Sequence, residues 1–237
     1  MTDTAAIAMD AIYRRQRFIY DLTRRHYLIG RDQLITDLAP PPGGSVLEIG
    51  CGTARNLICA ARRYPNARFY GIDISDEMLK TARASIARSP ARGIIQVAQA
   101  DATSFCLERL FKLGSVDRIC ISYVLSMIPP WEAVLDAAAG KLSDGGSLHV
   151  VDFGTMTAMP DVARRAMLAW LRRFSVTPRR DLKDVIYSVG ARHGLDVSFR
   201  EGQFGYAAHA SIGRKKLDMK KGERRALTST EAIASQI

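Results

Sequence analysis

Three acids close successive apolar runs: Glu48 within Val46-Leu47-Glu48-Ile49, Asp73 after Phe69-Tyr70-Gly71-Ile72, and Asp101 in Ala100-Asp101-Ala102. Gly50 and Gly52 follow the first of them. Glycines at alternate positions let a backbone turn sharply and approach a ligand that a Cβ atom would push away, and the helix read just beyond them offers free N–H groups. Asp73 stands about 20 residues beyond Gly52, the spacing at which an acid holds both hydroxyls of a ribose. Together these residues read as a nucleotide-type pocket at the carboxyl ends of parallel strands.

The remaining glycine positions narrow the choice of nucleotide. A dinucleotide fingerprint counted from Gly50 needs a glycine where Arg55 stands, and no Gly-Lys-Ser/Thr follows to form a triphosphate loop. The run from Glu48 to Ala54 resembles instead the first motif of the class I S-adenosylmethionine-dependent methyltransferases, acid-x-Gly-x-Gly-x-Gly, with Ala54 in the last glycine place. That resemblance implies S-adenosylmethionine as cofactor, S-adenosylhomocysteine as product, and no metal. It implies Glu48, Gly50, Gly52 and Asp73 as cofactor contacts, and Asp101 with the backbone of Ala102 on the adenine. Ile74 and Met78 would wall the ring, and Ser122 would add a contact at the end of the fourth strand. Met78 taken alone is equally a core methionine.

Hydrophobic periodicity supplies the elements that must position these residues. Strands are expected at 45–50, 68–74, 94–100, 116–124 and 147–153, with helices at 53–64, 76–88 and 131–141. A helix from Pro160 to Phe174, another around Asp181 to Gly190, and strands at 196–201 and 207–213 complete the pattern. Such alternation means an α/β fold: a Rossmann-like, mostly parallel sheet with helices on both faces, and seven strands as in class I methyltransferases. Ala39-Pro40-Pro41-Pro42-Gly43-Gly44 marks the clearest boundary. Residues 1–39 are expected to form a helical cap over the active site, 40–213 the methyltransferase domain, and 214–237 a basic, mobile tail.

Within the cap, Tyr13, Arg17, Tyr20, Arg24, Tyr27 and Arg31 share one stripe of a helix, although a solvated face with ordinary i, i+4 contacts leaves the same pattern. The run Ile19 to Asp32, the run Ser122 to Trp131, and Val150-Val151-Asp152-Phe153-Gly154 resemble the bacterial N-methyltransferases of betaine-lipid synthesis. Those enzymes convert diacylglyceryl-homoserine to its trimethyl betaine and are similar to the phosphatidylethanolamine N-methyltransferases. Methyl transfer from a sulfonium is an in-line displacement, so the protein must align a neutral amine and exclude water. Each added methyl brings the nitrogen closer to a permanent cation, which a tyrosine face stabilises by roughly 0.5–2 kcal/mol. Tyr20, Tyr27 and Tyr123 are therefore expected around the amine, with Arg24 or Arg31 pairing the carboxylate or phosphate of the acceptor. Tyr20 has a second candidate role at the methionine carboxylate of the cofactor.

Other candidates are weaker. His149 reads as a core histidine, and Asp152 as an acid facing the pocket end. His26, His193 and His209 show no metal-ligand spacing. Methylation of a nucleic-acid base loses its support because Ile128, rather than Asn or Asp, precedes Pro129-Pro130-Trp131, which reads as a helix start.

The 34 Lys and Arg against 24 Asp and Glu give a formal charge of +10, which favours an anionic partner, lipid surface or nucleic acid. No groove-reading or base-stacking motif supports nucleic acid. Cys51, Cys59, Cys106 and Cys120 lack C-x-x-C spacing and read as free thiols of a reducing, cytoplasmic compartment. No run approaches 18 apolar residues, and the polar start reads as no signal peptide, so a peripheral position on the inner face of the membrane is expected. On a helix from Asp161, Met167, Trp170, Leu171 and Phe174 form one side and Arg164, Arg165, Arg172 and Arg173 the rest. That pattern suits an interfacial helix or a core-packed helix with a basic exterior. A quinone or another small lipophilic acceptor is a further reading compatible with the same acids.

Overall fold

The computed structural model describes residues 28–213. The stripe residues Tyr13, Arg17, Tyr20, Arg24 and Tyr27 and the basic tail lie outside them. Helix α1 (Arg31–Leu38) leads into β1 (Ser45–Ile49), α2 (Arg55–Arg63), β2 (Arg68–Asp73), α3 (Asp76–Ala87) and β3 (Ile95–Gln99). There follow α4 (Leu107–Phe111), β4 (Val116–Ser122), α5 (Trp131–Ala139), β5 (Leu142–Phe153), α6 (Asp161–Arg172), α7 (Leu182–Arg192), β6 (Asp196–Glu201) and β7 (Ala207–Gly213).

The seven strands form one sheet in the order β3-β2-β1-β4-β5-β7-β6. Only β7 runs against its neighbours. Strand order reverses between β1 and β4, and ligands of open α/β sheets bind in the crevice outside the strand carboxyl ends at such a reversal. Register aligns those ends, because Ile49 pairs with Ile72 of β2 and with Ile121 of β4.

Two apolar layers hold the sheet between helices. Leu34, Leu38, Leu57, Leu79 and Leu171, from α1, α2, α3 and α6, pack on one face with Val46 and Phe69. Leu107, Leu135 and Ile186, from α4, α5 and α7, pack on the other with Leu47 and Ile49. Val46 and Leu47 lie on opposite faces because successive strand side chains alternate.

Two elements differ from the sequence expectation. Strand β5 starts at Leu142 rather than 147, because Leu142 pairs with Val116 before an irregularity that Gly145, at φ +73°, helps to absorb. Helix α4 was not expected; it exists because Leu107 and Phe111, one turn apart, are both buried. The apolar side of α6 packs inward, with Met167, Leu168, Trp170 and Phe174 against the core, while Arg165, Arg172 and Arg173 are exposed. The basic-exterior reading of α6 therefore describes the packing of Met167, Leu168, Trp170 and Phe174, which are partly buried around the buried Leu171, while Val162 in the first turn is exposed.

Candidate active site

The turn after β1 is built for close approach. Gly50 adopts φ +70°, and a Cβ there would lie 2.4 Å from a Val124 methyl in the loop after β4. Gly52 adopts φ +53°, and a Cβ there would meet nothing within 4 Å, so the turn opens onto free space. Ala54 takes the third motif position at φ +64° while fully buried. An alanine tolerates that left-handed conformation at a cost of about 1 kcal/mol, which is how the turn survives without its third glycine.

Around this turn lies a cavity of about 370 Å³ at the carboxyl ends of β1, β2 and β4. All nine expected cofactor residues line it: Glu48, Gly50 and Gly52; Asp73, Ile74 and Met78; Asp101, Ala102 and Ser122. Asp73 is pinned by the backbone, its Oδ2 accepting from Gly52 N at 2.8 Å and its Oδ1 from Ser75 N at 2.9 Å. Asp101 accepts at Oδ1 from Thr103 N at 2.8 Å and Thr103 Oγ1 at 2.7 Å. It thus caps a tight turn, well before α4 begins at Leu107.

Glu48 is 2% exposed and accepts at Oε1 from Asn56 Nδ2 at 2.8 Å. Burial pushes its pKa up to about 8, against the lowering effects of the Asn56 hydrogen bond and of the nearby Arg31 charge. Its Oε2 is buried with no hydrogen-bond partner among the described residues, and so is Ser122 Oγ. Buried polar atoms left unpaired cost about 1–3 kcal/mol each, and two beside one cavity are the pattern of a site that a polar ligand completes. A nucleoside bearing an amino-acid moiety suits these donors and acceptors, with acids for a ribose and an ammonium and apolar walls for a base.

Asn56 belongs to this constellation, and sequence reasoning gave it no role. Its signal was a polar side chain in the first turn of the helix, just beyond the glycine turn that follows Glu48. Tyr123 lines the cavity at φ +58°; its hydroxyl donates to Ile29 O at 2.6 Å, and its buried ring packs edge-on against Phe153 at 4.7 Å between centroids. Arg31, expected at the acceptor anion, is 9% exposed in the same cavity and donates from Nε to Leu28 O at 3.3 Å. Its effect on Glu48 puts it near the amino-acid end of a cofactor as much as near an acceptor. Tyr20, Tyr27 and Arg24 lie outside the described residues.

The expectation that Asp152 faces the pocket is corrected. Its carboxylate is 1% exposed and accepts from Ser126 N at 3.2 Å and Phe153 N at 2.8 Å, because that loop needs an internal acceptor. It does not line the cavity. His149 is also buried, bonded to Ser147 Oγ at 2.8 Å, with its pKa pushed down to about 4 by burial. No cluster of metal-ligating side chains occurs among the described residues.

Residues 46–146 match a family described as methyltransferase domain. The chain is 28% identical over 128 residues to a demethylmenaquinone methyltransferase of Desulfitobacterium hafniense, covering 54% of this chain and 49% of that one. It is 28% identical over 141 residues to a phosphatidylethanolamine N-methyltransferase of Cereibacter sphaeroides, covering 56% and 66%. The match thus spans about half to two thirds of these relatives' lengths. Among solved structures, geranyl diphosphate C-methyltransferase of Streptomyces coelicolor, in complex with Mg2+, geranyl diphosphate and S-adenosyl-L-homocysteine, superposes with a TM-score of 0.58 at 12% identity, covering 78% of each chain. Strand order, cavity position and these likenesses converge: the described chain has the class I methyltransferase fold, and its residues 46–146 are similar to the family described as methyltransferase domain.

Proposed function

We propose that this protein is an S-adenosylmethionine-dependent N-methyltransferase acting on the amine of a membrane-lipid head group, most simply by successive methylation of diacylglyceryl-homoserine. The observation that carries the methyl-donor part is the cavity with Asp73 and Asp101 at two strand ends and the orphaned Glu48 Oε2 and Ser122 Oγ beside the glycine turn. When bound there, S-adenosylmethionine supplies an electrophilic methyl on a sulfonium. Glu48 and Arg31 would hold the amino-acid end, Asp73 the ribose diol, and Asp101 with the Ala102 backbone the adenine edge, between Ile74 and Met78. Val124, Met127 and Ile128 exclude water from the methyl end, which strengthens every charge interaction inside. The ring of Tyr123 would face the amine, with Tyr20 and Tyr27 from the cap and Arg24 on the acceptor's anion. Neither Asp152 nor His149 lines the cavity, so the amine would lose its proton to solvent or to a weak base other than these two before transfer.

Supplying labelled S-adenosylmethionine with diacylglyceryl-homoserine or phosphatidylethanolamine liposomes is expected to label the homoserine lipid. The Cereibacter relative favours phosphatidylethanolamine as the second reading, and label on that lipid alone would select it. Label on neither, with label on a demethylated quinone, would overturn the lipid reading in favour of the chemistry of the Desulfitobacterium relative.

No described helix is long and apolar enough to cross a membrane. With most of its apolar side packed inward, α6 offers a bilayer an arginine face, where Arg164, Arg165, Arg172 and Arg180 border a shallow groove, and the exposed Val162 in its first turn. Each basic residue near an anionic surface contributes about 1 kcal/mol, so Arg165→Glu with Arg172→Glu is expected to weaken sedimentation with anionic vesicles at least about tenfold. Raised salt should weaken the wild type similarly. Equal binding to neutral vesicles would sink this peripheral, inner-face placement.

A further inference from the structure

Arg179 lies in the segment between α6 and α7, far in sequence from the cavity, and makes no ion pair among the described residues. Its Nε donates to Leu125 O at 3.0 Å and its Nη2 to Ile128 O at 2.8 Å, while its guanidinium lies 5.8 Å from the centroid of the Trp131 ring. Two residues earlier, Thr177 N donates to Ser126 O at 2.8 Å. One short stretch therefore takes three carbonyls of the loop after β4.

That loop is a wall of the cavity: Tyr123, Val124, Met127, Ile128, Pro129 and Pro130 all line it. It starts on a non-glycine residue at φ +58° and ends on two prolines that have no N–H to donate. Its proline end can be anchored only through carbonyls, and carbonyls need a donor from elsewhere. A guanidinium reaches two of them in a fixed fork, which a lysine ammonium does not. On the other side the loop is held at Ser126 N by Asp152, and Phe174, just before the clasp, packs with Met127 against Met78.

We infer that Arg179 is a positioning residue for the acceptor side of the cavity, fixing the Leu125–Pro130 wall against the segment that follows α6. In its kinetic part this rests on the methyltransferase reading above. It goes beyond that reading by assigning acceptor placement to a residue that touches neither cofactor nor acceptor. The expected cofactor acids Glu48, Asp73 and Asp101 lie at the ends of β1, β2 and β3, and the loop that the clasp holds reaches that side through the packing of Met127 on Met78.

The test compares wild type with Arg179→Met and Arg179→Lys. Arg179→Met is expected to raise the KM for the lipid that wild type labels about 10- to 100-fold, the loss of two bonds from a charged donor, with S-adenosylhomocysteine affinity by calorimetry within about twofold. Arg179→Lys, keeping the charge and one donor, should recover part of the loss. Hydrogen exchange at amides 124–128 and 131 should quicken in Arg179→Met with bound S-adenosylhomocysteine, while exchange in β1 and β2 stays unchanged. Unaltered exchange in the loop, or equal losses of cofactor affinity and acceptor KM, would overturn the inference. If wild type labels no lipid, the lipid reading fails, and the exchange and calorimetry still decide the role of Arg179.

Discussion

Asp73→Ala is expected to weaken S-adenosylhomocysteine binding about 100- to 1000-fold, because each ribose hydroxyl bonded to a carboxylate is worth roughly 1.5–3 kcal/mol. The carboxylate is already pinned by Gly52 N and Ser75 N at 2.8 and 2.9 Å, so it meets the diol without reorganising. The substitution also removes the acceptor that shapes the glycine turn. Asp73→Asn should lose nearly as much, since one end of the amide cannot accept from either backbone N–H. Calorimetric titration of both variants with S-adenosylhomocysteine checks this; affinity within threefold of wild type in Asp73→Ala would remove the ribose role.

The second large effect concerns Glu48, whose pKa is raised to about 8 from the ordinary 4.5. The folded chain then holds a proton that the unfolded chain has released across that window. Stability from this group is fully present below pH about 4.5 and is lost progressively as pH rises toward about 8. Over that range it amounts to a few kcal/mol for a group this buried. Glu48→Gln cannot ionise, so between about pH 6.5 and 8 its Tm should stay nearly flat while the wild type declines by several degrees; below about pH 6.5 buried His149, whose pKa is pushed down to about 4, adds the same opposite slope to both proteins.

Cofactor affinity should move the opposite way. An ammonium favours ionised Glu48, so below pH 8 wild-type binding of S-adenosylhomocysteine releases a proton and tightens by up to about tenfold per pH unit. Asp73, Arg31 and Arg55 are the other charges that act on Glu48, and Arg31 and Arg55 both favour its ionisation. Cys51, also pushed up by burial, stays a thiol over this range. Glu48→Gln should abolish the pH slope and bind at least about tenfold more weakly at pH 8, the cost of losing one charged partner in a dry site. Thermal melts and titrations across pH 5.5–8.5 give both readouts. Parallel slopes in variant and wild type would show that Glu48 is not the titrating contact.

Much of this site was legible before any coordinates. Glu48, Gly50, Gly52, Asp73 and Asp101 were readable because a turn that brings backbone to a ligand and acids at strand ends are local chemistry, each written within about 30 residues of the one before it. The strand and helix alternation was readable for the same reason, since periods of 2 and 3.6 are properties of short stretches. The narrow-family resemblance supplied Tyr20, Tyr27 and Arg24, which rest on sequence alone.

What the linear chain withheld were the long-range contacts. That Asp152 serves the loop after β4 and not the cavity follows from how that loop folds back over the end of β5. That Arg31 sits beside Glu48 depends on α1 packing over the sheet, and that Tyr123 spends its hydroxyl on Ile29 O depends on two segments 94 residues apart. The direction in which α6 turns its apolar side, and the fork of Arg179 on carbonyls 54 and 51 residues upstream, were equally invisible. The sequence by itself determined the fold class and which strand-end and turn residues line the cavity, because those are set by local spacing and pattern. Only the tertiary structure decided which buried charges reach the cavity and which merely brace its walls, because burial and pairing depend on neighbours that the linear order does not specify.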